Sequence, residues 1–189
     1  MFDQPILETA RLRLRPFVLT DAPHVRVLAG AREVADTTLN IPHPYPAGAA
    51  ETWIATHQPM WVAGHGAVYA VTDVADGGLL GAVSLVRTPA KESAELGYWL
   101  AVSAWGRGYA TEAATAVCQL GFTTLGLHRI QARYLCRNPA SGRVLQKLGM
   151  RDEGILRDAV SKWGRFEDVA VSAILAPTPT PPRSCVDHS

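Results

Sequence analysis

The segment from Trp105 to Ala113, Trp-Gly-Arg-Gly-Tyr-Ala-Thr-Glu-Ala, constrains the fold of this chain more than any other stretch. It joins an apolar run, residues 96–102, to residues 114–122, whose composition is typical of a helix. The first N–H groups of a helix have no internal partner, and the helix dipole adds positive potential there. Gly106 and Gly108 leave room for an anion to reach those groups. The pattern predicts a phosphate-binding turn or, without a ligand, a tight turn that packs the helix on a sheet.

The glycine turn does not match the two best-known phosphate-binding motifs. The sequence contains no Gly-x-x-x-x-Gly-Lys-Ser/Thr segment, which excludes a P-loop. Thr111 stands where the third glycine of the dinucleotide-binding fingerprint would be. Nucleoside triphosphates and NAD are therefore disfavoured as ligands. The net charge of +1 also disfavours a protein that binds nucleic acid electrostatically.

The turn instead resembles the cofactor-binding motif of the GNAT superfamily of N-acetyltransferases, Arg/Gln-x-x-Gly-x-Gly/Ala. Gly108 and Ala110 fit this motif, whereas Trp105 occupies the Arg/Gln position. That departure resembles the branch related to the RimJ/RimL ribosomal-protein acetyltransferases. Further segments resemble the same branch in the expected order, namely Glu8–Pro16, Ala94–Leu100, Asn138–Met150 and Gly164–Leu175. The resemblance extends from about residue 6 to residue 175.

The order of the predicted elements indicates an α+β domain over residues 1–175. Strands are predicted at 12–17, 68–73, 79–86, 95–102, 129–136, 150–160 and 166–175, and helices from about 20, at 49–62, at 109–122 and at 138–148. We expect a mixed, largely antiparallel sheet of about seven strands with helices on its faces. The GNAT resemblance implies a twisted sheet whose central strand, 95–102, splays away from the strand that begins at Arg129. The Pro-rich residues 176–189 are predicted to form a flexible tail.

The resemblance also implies where acetyl-coenzyme A (acetyl-CoA), the expected cosubstrate, binds. The pantetheine arm is expected in the opening between the splayed strands, where backbone groups of Leu100, Ala101 and Val102 would hydrogen-bond its amides. The N–H groups that would hold the pyrophosphate belong to the turn and the first helical residues, namely Arg107, Gly108, Tyr109, Ala110, Thr111 and Glu112. Because backbone groups make these contacts, the shape of the turn should matter more than its side chains.

Asn138 and Ser141, at the start of a predicted helix, have both structural and functional explanations. Asn138 is a good helix cap, and Pro139 fits the first helical turn. The resemblance implies instead that Asn138 contacts the cofactor arm and that Ser141 lies near the thiol as general acid. Tyr134 is an alternative donor. A thiol pKa of about 8.5 means that the thiolate needs only modest help to leave at neutral pH.

Glu95 is the candidate general base, since it begins the central strand and matches a glutamate of the resembling branch. The alternative is an ordinary solvent-facing strand residue. An acceptor α-amine with pKa about 8 costs about 1.4 kcal/mol to deprotonate at pH 7, whereas lysine costs about 4.6 kcal/mol. An α-amine therefore needs a weaker base. Glu112 is expected to stabilise the helix dipole, and the resemblance places His43 near the acceptor entrance.

Two sets of basic residues have simpler explanations. Arg11, Arg13 and Arg15 alternate with leucines, which predicts a solvated sheet face or, alternatively, a contact with an acidic partner. Arg143 and Lys147 share a helix face, as solvated charges or beside the 3′-phosphate of the coenzyme.

Three functions stay open at this point. The first is acetylation of a protein N-terminus, the second is acetylation of a small amine such as an antibiotic, polyamine or amino acid, and the third is a non-catalytic acyl-CoA sensor. The resemblance implies direct transfer without a metal and a possible homodimer. The cysteines 118, 136 and 185 show no metal-ligand spacing and no disulfide framework. With no signal-peptide pattern and no membrane-spanning apolar run, we expect a cytoplasmic enzyme without membrane or nucleic-acid partners.

Overall fold

The computed structural model describes residues 3–88 and 92–177, and within them the chain forms one open sheet of eight strands. In chain order these are β1 Leu7–Glu8, β2 Leu12–Arg15, β3 Gly66–Asp73, β4 Leu79–Arg87, β5 Ser93–Leu100, β6 Arg129–Leu135, β7 Arg151–Lys162 and β8 Arg165–Leu175. Their spatial order is β1-β2-β3-β4-β5-β6-β8-β7, and every neighbouring pair is antiparallel except β5 and β6. The predicted mixed, mostly antiparallel α+β sheet is confirmed, with the two-residue β1 as the additional strand. Of the predicted tail, residues 178–189 lie outside the described residues.

The helices cover both faces of the sheet. They are α1 Ala22–Ala29, α2 Arg32–Thr37, α3 Ala49–Ala55, α4 His57–Val62, α5 Tyr109–Thr123 and α6 Pro139–Lys147. The helix predicted over 49–62 is in fact two helices that meet at Thr56. Pro59 has no N–H to donate to the carbonyl of Ala55, which interrupts the helical hydrogen bonds at this point.

Two cores result, because successive residues of a strand face opposite sides of the sheet. Tyr69 and Val71 of β3 belong to the core beneath α5, whereas Val68 and Ala70 belong to the core beneath α1–α3. Since acetyl-CoA is expected at the turn that leads into α5, the face that α5 and α6 cover is called the donor face below, and the face that α1–α4 cover is called the acceptor face.

Strand β2 confirms the predicted alternation of arginine and leucine. Leu12 and Leu14 are fully buried in the donor-face core. Arg15 forms an ion pair with Asp21 at 2.7 Å, and Arg13 lies 3.7 Å from Glu8. Arg13 and Arg15 therefore both have acidic neighbours within the chain.

The parallel pair β5–β6 separates partway along its length. Ser93–Leu96 pair with Arg129–Ala132, but no further pairs form although β5 continues to Leu100 and β6 to Leu135. The far side of β5 stays paired with β4 as far as Leu100. The predicted splay of the central strands is therefore present, and it begins after Leu96 and Ala132.

Candidate active site

The opening between β5 and β6 is a cleft of about 540 Å³. One end lies at the glycine turn and the start of α5, and the other end lies at the segment that follows α2. Of the residues predicted for the site, the lining includes Glu95, Leu100, Gly108, Tyr109, Ala110, Thr111, Tyr134, Asn138 and Ser141. The structure thus brings together residues that lie up to about 46 positions apart in the sequence.

The glycine turn has the backbone conformation that its sequence predicts. Gly106 and Gly108 have φ values of +72° and +82°, a region that other residues rarely adopt. A Cβ atom at Gly106 would meet no heavy atom within 4 Å, so the space in front of the turn is open. Gly108 caps α5, whose first helical hydrogen bond runs from the N–H of Glu112 to the carbonyl of Gly108. The N–H groups of Tyr109, Ala110 and Thr111 thus lack helical acceptors.

Arg11 holds this turn from β2's side, a role that the sequence analysis missed. Its guanidinium donates to the carbonyl of Arg107 at 3.0 Å and to the carboxylate of Glu112 at 2.8 Å. The ring of Tyr109 lies between two guanidinium groups, 4.6 Å from that of Arg11 and 4.8 Å from that of Arg107. The predicted alternation of β2 gave no sign of this contact, because the partner residues follow about a hundred positions later.

Glu112 is more than a helix-dipole residue. Its carboxylate also accepts hydrogen bonds from the Thr9 hydroxyl at 2.6 Å and from the Arg11 N–H at 2.9 Å. Partial burial raises the pKa of Glu112, but the hydrogen bonds from Thr9 and Arg11 outweigh it, so that the pKa is lowered overall. The carboxylate therefore stays ionised and ties the segment between β1 and β2 to the first turn of α5.

The end of β5 is also fixed by local hydrogen bonds. The indole N–H of Trp105 donates to the carbonyl of Leu100 at 2.8 Å. The N–H of Ala101 donates to Leu80, and its carbonyl accepts from Ala104. Trp105, the residue that departs from the GNAT motif, thus ties the turn to the strand that precedes it.

Ser141 and Tyr98 meet on the donor face of the cleft. The two side-chain oxygens are 2.7 Å apart, and the Tyr98 hydroxyl lies 3.3 Å from the carbonyl of Ser141. Burial raises the pKa of Tyr98 to about 12, although its hydrogen bond with Ser141 works in the opposite direction. Tyr98 was not among the predicted site residues, because in the sequence it is one more apolar residue of a buried strand.

Asn138 caps α6, as the sequence predicts, and also hydrogen-bonds to the end of α2. Its side-chain oxygen accepts from the N–H of Ser141 at 3.2 Å, which caps α6. Its amide nitrogen donates to the carbonyl of Thr37, at the end of α2, at 3.1 Å. Asn138 therefore links the helix that carries Ser141 to the opposite wall of the cleft.

Tyr134 packs closely against α6. A Cβ atom at Gly142 would lie 2.9 Å from the Tyr134 hydroxyl oxygen, so only glycine permits this approach. Burial raises the pKa of Tyr134, as does the charge of Asp152. Tyr134 thus reaches the same part of α6 as Tyr98, from the other side of the splay.

Glu95 belongs to the acceptor face. Its carboxylate oxygens accept from Nε of Arg133 at 3.0 and 3.1 Å, and both side chains are partly exposed. Glu95 and Trp99 alternate with Tyr98 along β5, so Glu95 and Ser141 approach the opening from opposite faces of the sheet. A proton transferred to Glu95 would weaken its ion pair with Arg133.

The charges that line the cleft are mostly positive. Arg133, Arg143 and Lys147 are among the lining residues, and Glu95 is the acidic residue among them. Apolar side chains such as Ile41, Trp53 and Trp99 line the acceptor-face end.

The end of α2 and the residue that follows it are held at three consecutive positions. Each is held by a side chain from α6's N-terminal side or from the β7–β8 hairpin, namely Asp36 by Arg137, Thr37 by Asn138 and Thr38 by Lys162. His43, expected near the acceptor entrance, is not among the residues that line the cleft; its Nδ1 lies 3.0 Å from the carbonyl oxygen of Gly30 and its ring 6.4 Å from that of Trp163. Within the described ranges, no group of three or more His, Cys, Asp and Glu side chains is arranged to hold a metal ion. In the same ranges, the helices are too short or too polar to span a membrane.

Comparison with known sequences gives consistent matches. A model of the acetyltransferase (GNAT) domain matches residues 11–151. YoaA of Bacillus subtilis (strain 168), named an uncharacterized N-acetyltransferase, is 30% identical over 174 residues, which cover 92% of this chain and 98% of YoaA. The probable N-acetyltransferase YjcK of the same organism is 40% identical over 111 residues, 58% of this chain and 61% of YjcK. The [ribosomal protein uS5]-alanine N-acetyltransferase of Escherichia coli (strain K12) is 35% identical over 88 residues, 47% of this chain and 45% of that enzyme. The chain thus spans less than two thirds of the last two relatives.

Solved structures share the same architecture. Mycobacterium smegmatis RimJ in complex with CoA-disulfide has a TM-score of 0.77 and 26% identity, covering 87% of this chain and 82% of that chain. A spermidine N-acetyltransferase SpeG chimera from Vibrio cholerae and hSSAT has a TM-score of 0.74 at 24% identity, covering 88% and 96%; this likeness concerns the fold. Since the family model matches more than half of the chain and YoaA aligns over nearly all of it, the chain belongs to the GNAT family of acetyltransferases.

Proposed function

We propose that this protein transfers an acetyl group from acetyl-CoA directly to the N-terminal α-amine of a protein. One observation carries this proposal. The splay between β5 and β6 joins a turn with unpaired helix N–H groups at one end to hydroxyl and carboxylate side chains that approach from opposite faces. Such an opening suits a reaction in which donor and acceptor enter from opposite sides and meet in the sheet.

The turn fits the pyrophosphate of acetyl-CoA. The N–H groups at positions 107–112 would hold it, and the open space in front of Gly106 leaves room for it. Arg143 and Lys147 line the cleft along α6 and would attract the remaining phosphate. Backbone groups at positions 100–102 would hold the pantetheine arm, together with Asn138, although several of these groups already have partners within the chain.

The proposed reaction divides its proton transfers between the two faces. The amine nitrogen attacks the thioester carbonyl, a C–N bond forms, and the C–S bond then breaks with its electron pair on sulfur. Glu95, directly or through water, takes the proton that the nitrogen loses, and Ser141 or Tyr134 donates to the departing thiolate. The base can be weak when the acceptor is an α-amine, since the amine pKa is about 8, and the thiolate leaves readily because the thiol pKa is about 8.5.

The cleft charges support an α-amine over a polyamine. Binding a polycation would require several carboxylates, but the cleft presents Glu95 already paired with Arg133, beside two further basic residues of α6. An N-terminal amine carries one charge, and the apolar residues near Trp53 suit the first side chain of a peptide. The similarity to the uS5-alanine acetyltransferase supports the same acceptor class.

A thiol-release assay with mass spectrometry of the product tests the proposal. We expect turnover with short peptides that begin with alanine, serine or methionine and none with the same peptides formylated at the N-terminus, even when they contain lysine. Faster turnover of spermidine, an aminoglycoside or a free amino acid would contradict the α-amine proposal and favour a small-molecule acetyltransferase. If acetyl-CoA bound tightly but no amine reacted, the protein would be an acyl-CoA sensor instead.

The organisation of the protein is part of the same proposal. We propose that residues 1–175 form the catalytic domain and that the protein works in the cytoplasm as a homodimer. Cys118 and Cys136 are free thiols, which suits a reducing compartment. Light scattering of the purified chain tests the dimer: a monomer mass at micromolar concentration would contradict it.

A further inference from the structure

The contact between Tyr98 and Ser141 permits an inference beyond the identity of the acceptor, although it rests on the proposed acetyl transfer. We propose that Tyr98 is a positioning residue that turns the hydroxyl proton of Ser141 toward the sulfur of acetyl-CoA. Ser141 would then be the residue that touches the leaving group, and Tyr98 would act through it.

The hydrogen-bond geometry supports this direction. The Tyr98 hydroxyl has one proton and two acceptors nearby, the Ser141 hydroxyl oxygen at 2.7 Å and the Ser141 carbonyl oxygen at 3.3 Å. The shorter distance is the usual one for an O–H···O bond. The carbonyl lies inside α6, where the helix supplies its own N–H donor. Tyr98 therefore donates to the Ser141 hydroxyl.

A serine hydroxyl that accepts from Tyr98 must direct its own proton elsewhere. Among the described residues, no other side chain hydrogen-bonds to the Ser141 hydroxyl, and Ser141 lines the cleft. The N–H of Ser141 is occupied by the cap from Asn138, which fixes the first turn of α6. The serine proton therefore points into the cleft, where the thioester sulfur is expected.

The surroundings of Tyr98 keep its hydroxyl protonated and fix the position of its ring. Its ring packs against the donor-face core from a strand that is paired with β4 along this stretch. Burial raises its pKa to about 12, so the phenol keeps its proton at any working pH. The hydroxyl of Tyr134, the other nearby phenol, makes no hydrogen bond within the described residues, so Tyr98 is the phenol that contacts Ser141.

The chemical step needs no proton from Tyr98. When the tetrahedral intermediate collapses, the C–S bond breaks and the electron pair goes to sulfur. The Ser141 hydroxyl donates a hydrogen bond to that developing charge, and the donation from Tyr98 strengthens it. The sulfur, whose thiol has a pKa of about 8.5, takes its proton from Ser141, and Ser141 regains a proton from water.

A double-mutant cycle tests the proposal kinetically. Tyr98→Phe should lower kcat about 3- to 10-fold and leave the acceptor KM unchanged, and Ser141→Ala should lower kcat at least as much. Tyr98→Phe should have almost no further effect in the Ser141→Ala background, because the residue through which it acts is absent. Tyr69→Phe is the matched control: it removes a buried hydroxyl from the same sheet, at a position that does not line the cleft, and should leave kcat unchanged. Equal losses from Tyr98→Phe in both backgrounds would overturn the proposal.

A binding measurement makes the test independent of the acceptor. Calorimetry with coenzyme A and with desulfo-coenzyme A, which lacks the thiol, reports the contact with sulfur. We expect the preference for coenzyme A to fall several-fold in both Tyr98→Phe and Ser141→Ala, and to persist in Tyr69→Phe. An unchanged preference in Tyr98→Phe would overturn the positioning role. Because no amine is present, a wrong acceptor assignment would leave this result unaffected.

Discussion

The two ends of the cleft are built in different ways. The donor end consists of a continuous segment, Trp105–Ala113, whose backbone conformation and unpaired N–H groups are set by two glycines and a helix start. The acceptor end consists of side chains from α2, α3, β5 and β6, and Arg137, Asn138 and Lys162 hold the end of α2 in place. Function at the donor end should therefore depend on backbone conformation, and function at the acceptor end on individual side chains.

Gly108→Val should show the largest effect, because it disturbs the backbone conformation on which the donor end depends. A β-branched residue at φ +82° is strained, at a cost of about 1–3 kcal/mol that the turn can avoid only by changing shape. We expect coenzyme A affinity, measured by calorimetry, to fall about 10- to 100-fold. Gly64→Val is the matched control, since Gly64 has φ +68° and free space around it but lies outside the cleft. It should cost stability with no loss of affinity, and an unaltered dissociation constant in Gly108→Val would refute the phosphate-binding turn.

Glu95→Gln tests the opposite end, where a single side chain is expected to matter. The substitution keeps the shape and removes the base, so kcat/KM should fall about tenfold, most strongly at low pH, where the amine most needs deprotonation. Affinity for acetyl-CoA should not change. Glu153→Gln is the control, because Glu153 also pairs with an arginine of β6, Arg129, but lies outside the cleft. A pH profile of Glu95→Gln that coincided with that of the unmodified protein would remove Glu95 as the base.

Arg11→Ala tests whether a side chain also matters at the donor end, because the Arg11 side chain holds the backbone of the turn. Losing the hydrogen bond to the Arg107 carbonyl and the ion pair with Glu112 should loosen the turn and weaken coenzyme A binding about 3- to 10-fold. Arg13→Ala removes an arginine two positions further along the chain, whose carboxylate partner Glu8 is 3.7 Å away, and it should leave binding unchanged. If both variants bound coenzyme A equally well, Arg11 would have no part in shaping the turn.

The difference between a continuous backbone segment and side chains from several elements also explains which features could be predicted from the sequence. The order of strands and helices and the turn at Gly106–Gly108 were predicted from strand alternation, glycine conformation and helix caps, which are local properties, whereas the splay was expected only from the GNAT resemblance. The partnership of Arg11 with Glu112 and that of Tyr98 with Ser141 join positions 101 and 43 apart, and only the folded sheet brings them together. The break at Thr56 was missed because the apolar pattern continues through it, although Pro59 was visible. The roles of Glu95, Ser141 and Asn138 stay predictions until they are measured.

His57 offers the smallest expected effect, and it concerns the stability of the acceptor-face core. The ring is buried against Phe17 and Trp53, and neither ring nitrogen has a hydrogen-bond partner within the described residues. Burial lowers the pKa of His57 to about 4, so the unfolded chain, with a pKa of about 6.5, binds the proton first as the pH falls. Stability should therefore decrease between about pH 6.5 and pH 4, by about 3 kcal/mol from this residue.

His57→Phe should flatten that part of the pH dependence in urea titrations followed at several pH values, whereas His65→Phe, at an exposed position, should not. Trp53 both packs on His57 and lines the cleft, so acid should loosen the acceptor end before the donor end. The folded protein protonates His57 only near pH 4, so there the acceptor KM should rise more steeply in the unmodified protein than in His57→Phe, while coenzyme A affinity holds in both. Parallel losses at both ends would show that the two ends do not differ in their response to acid.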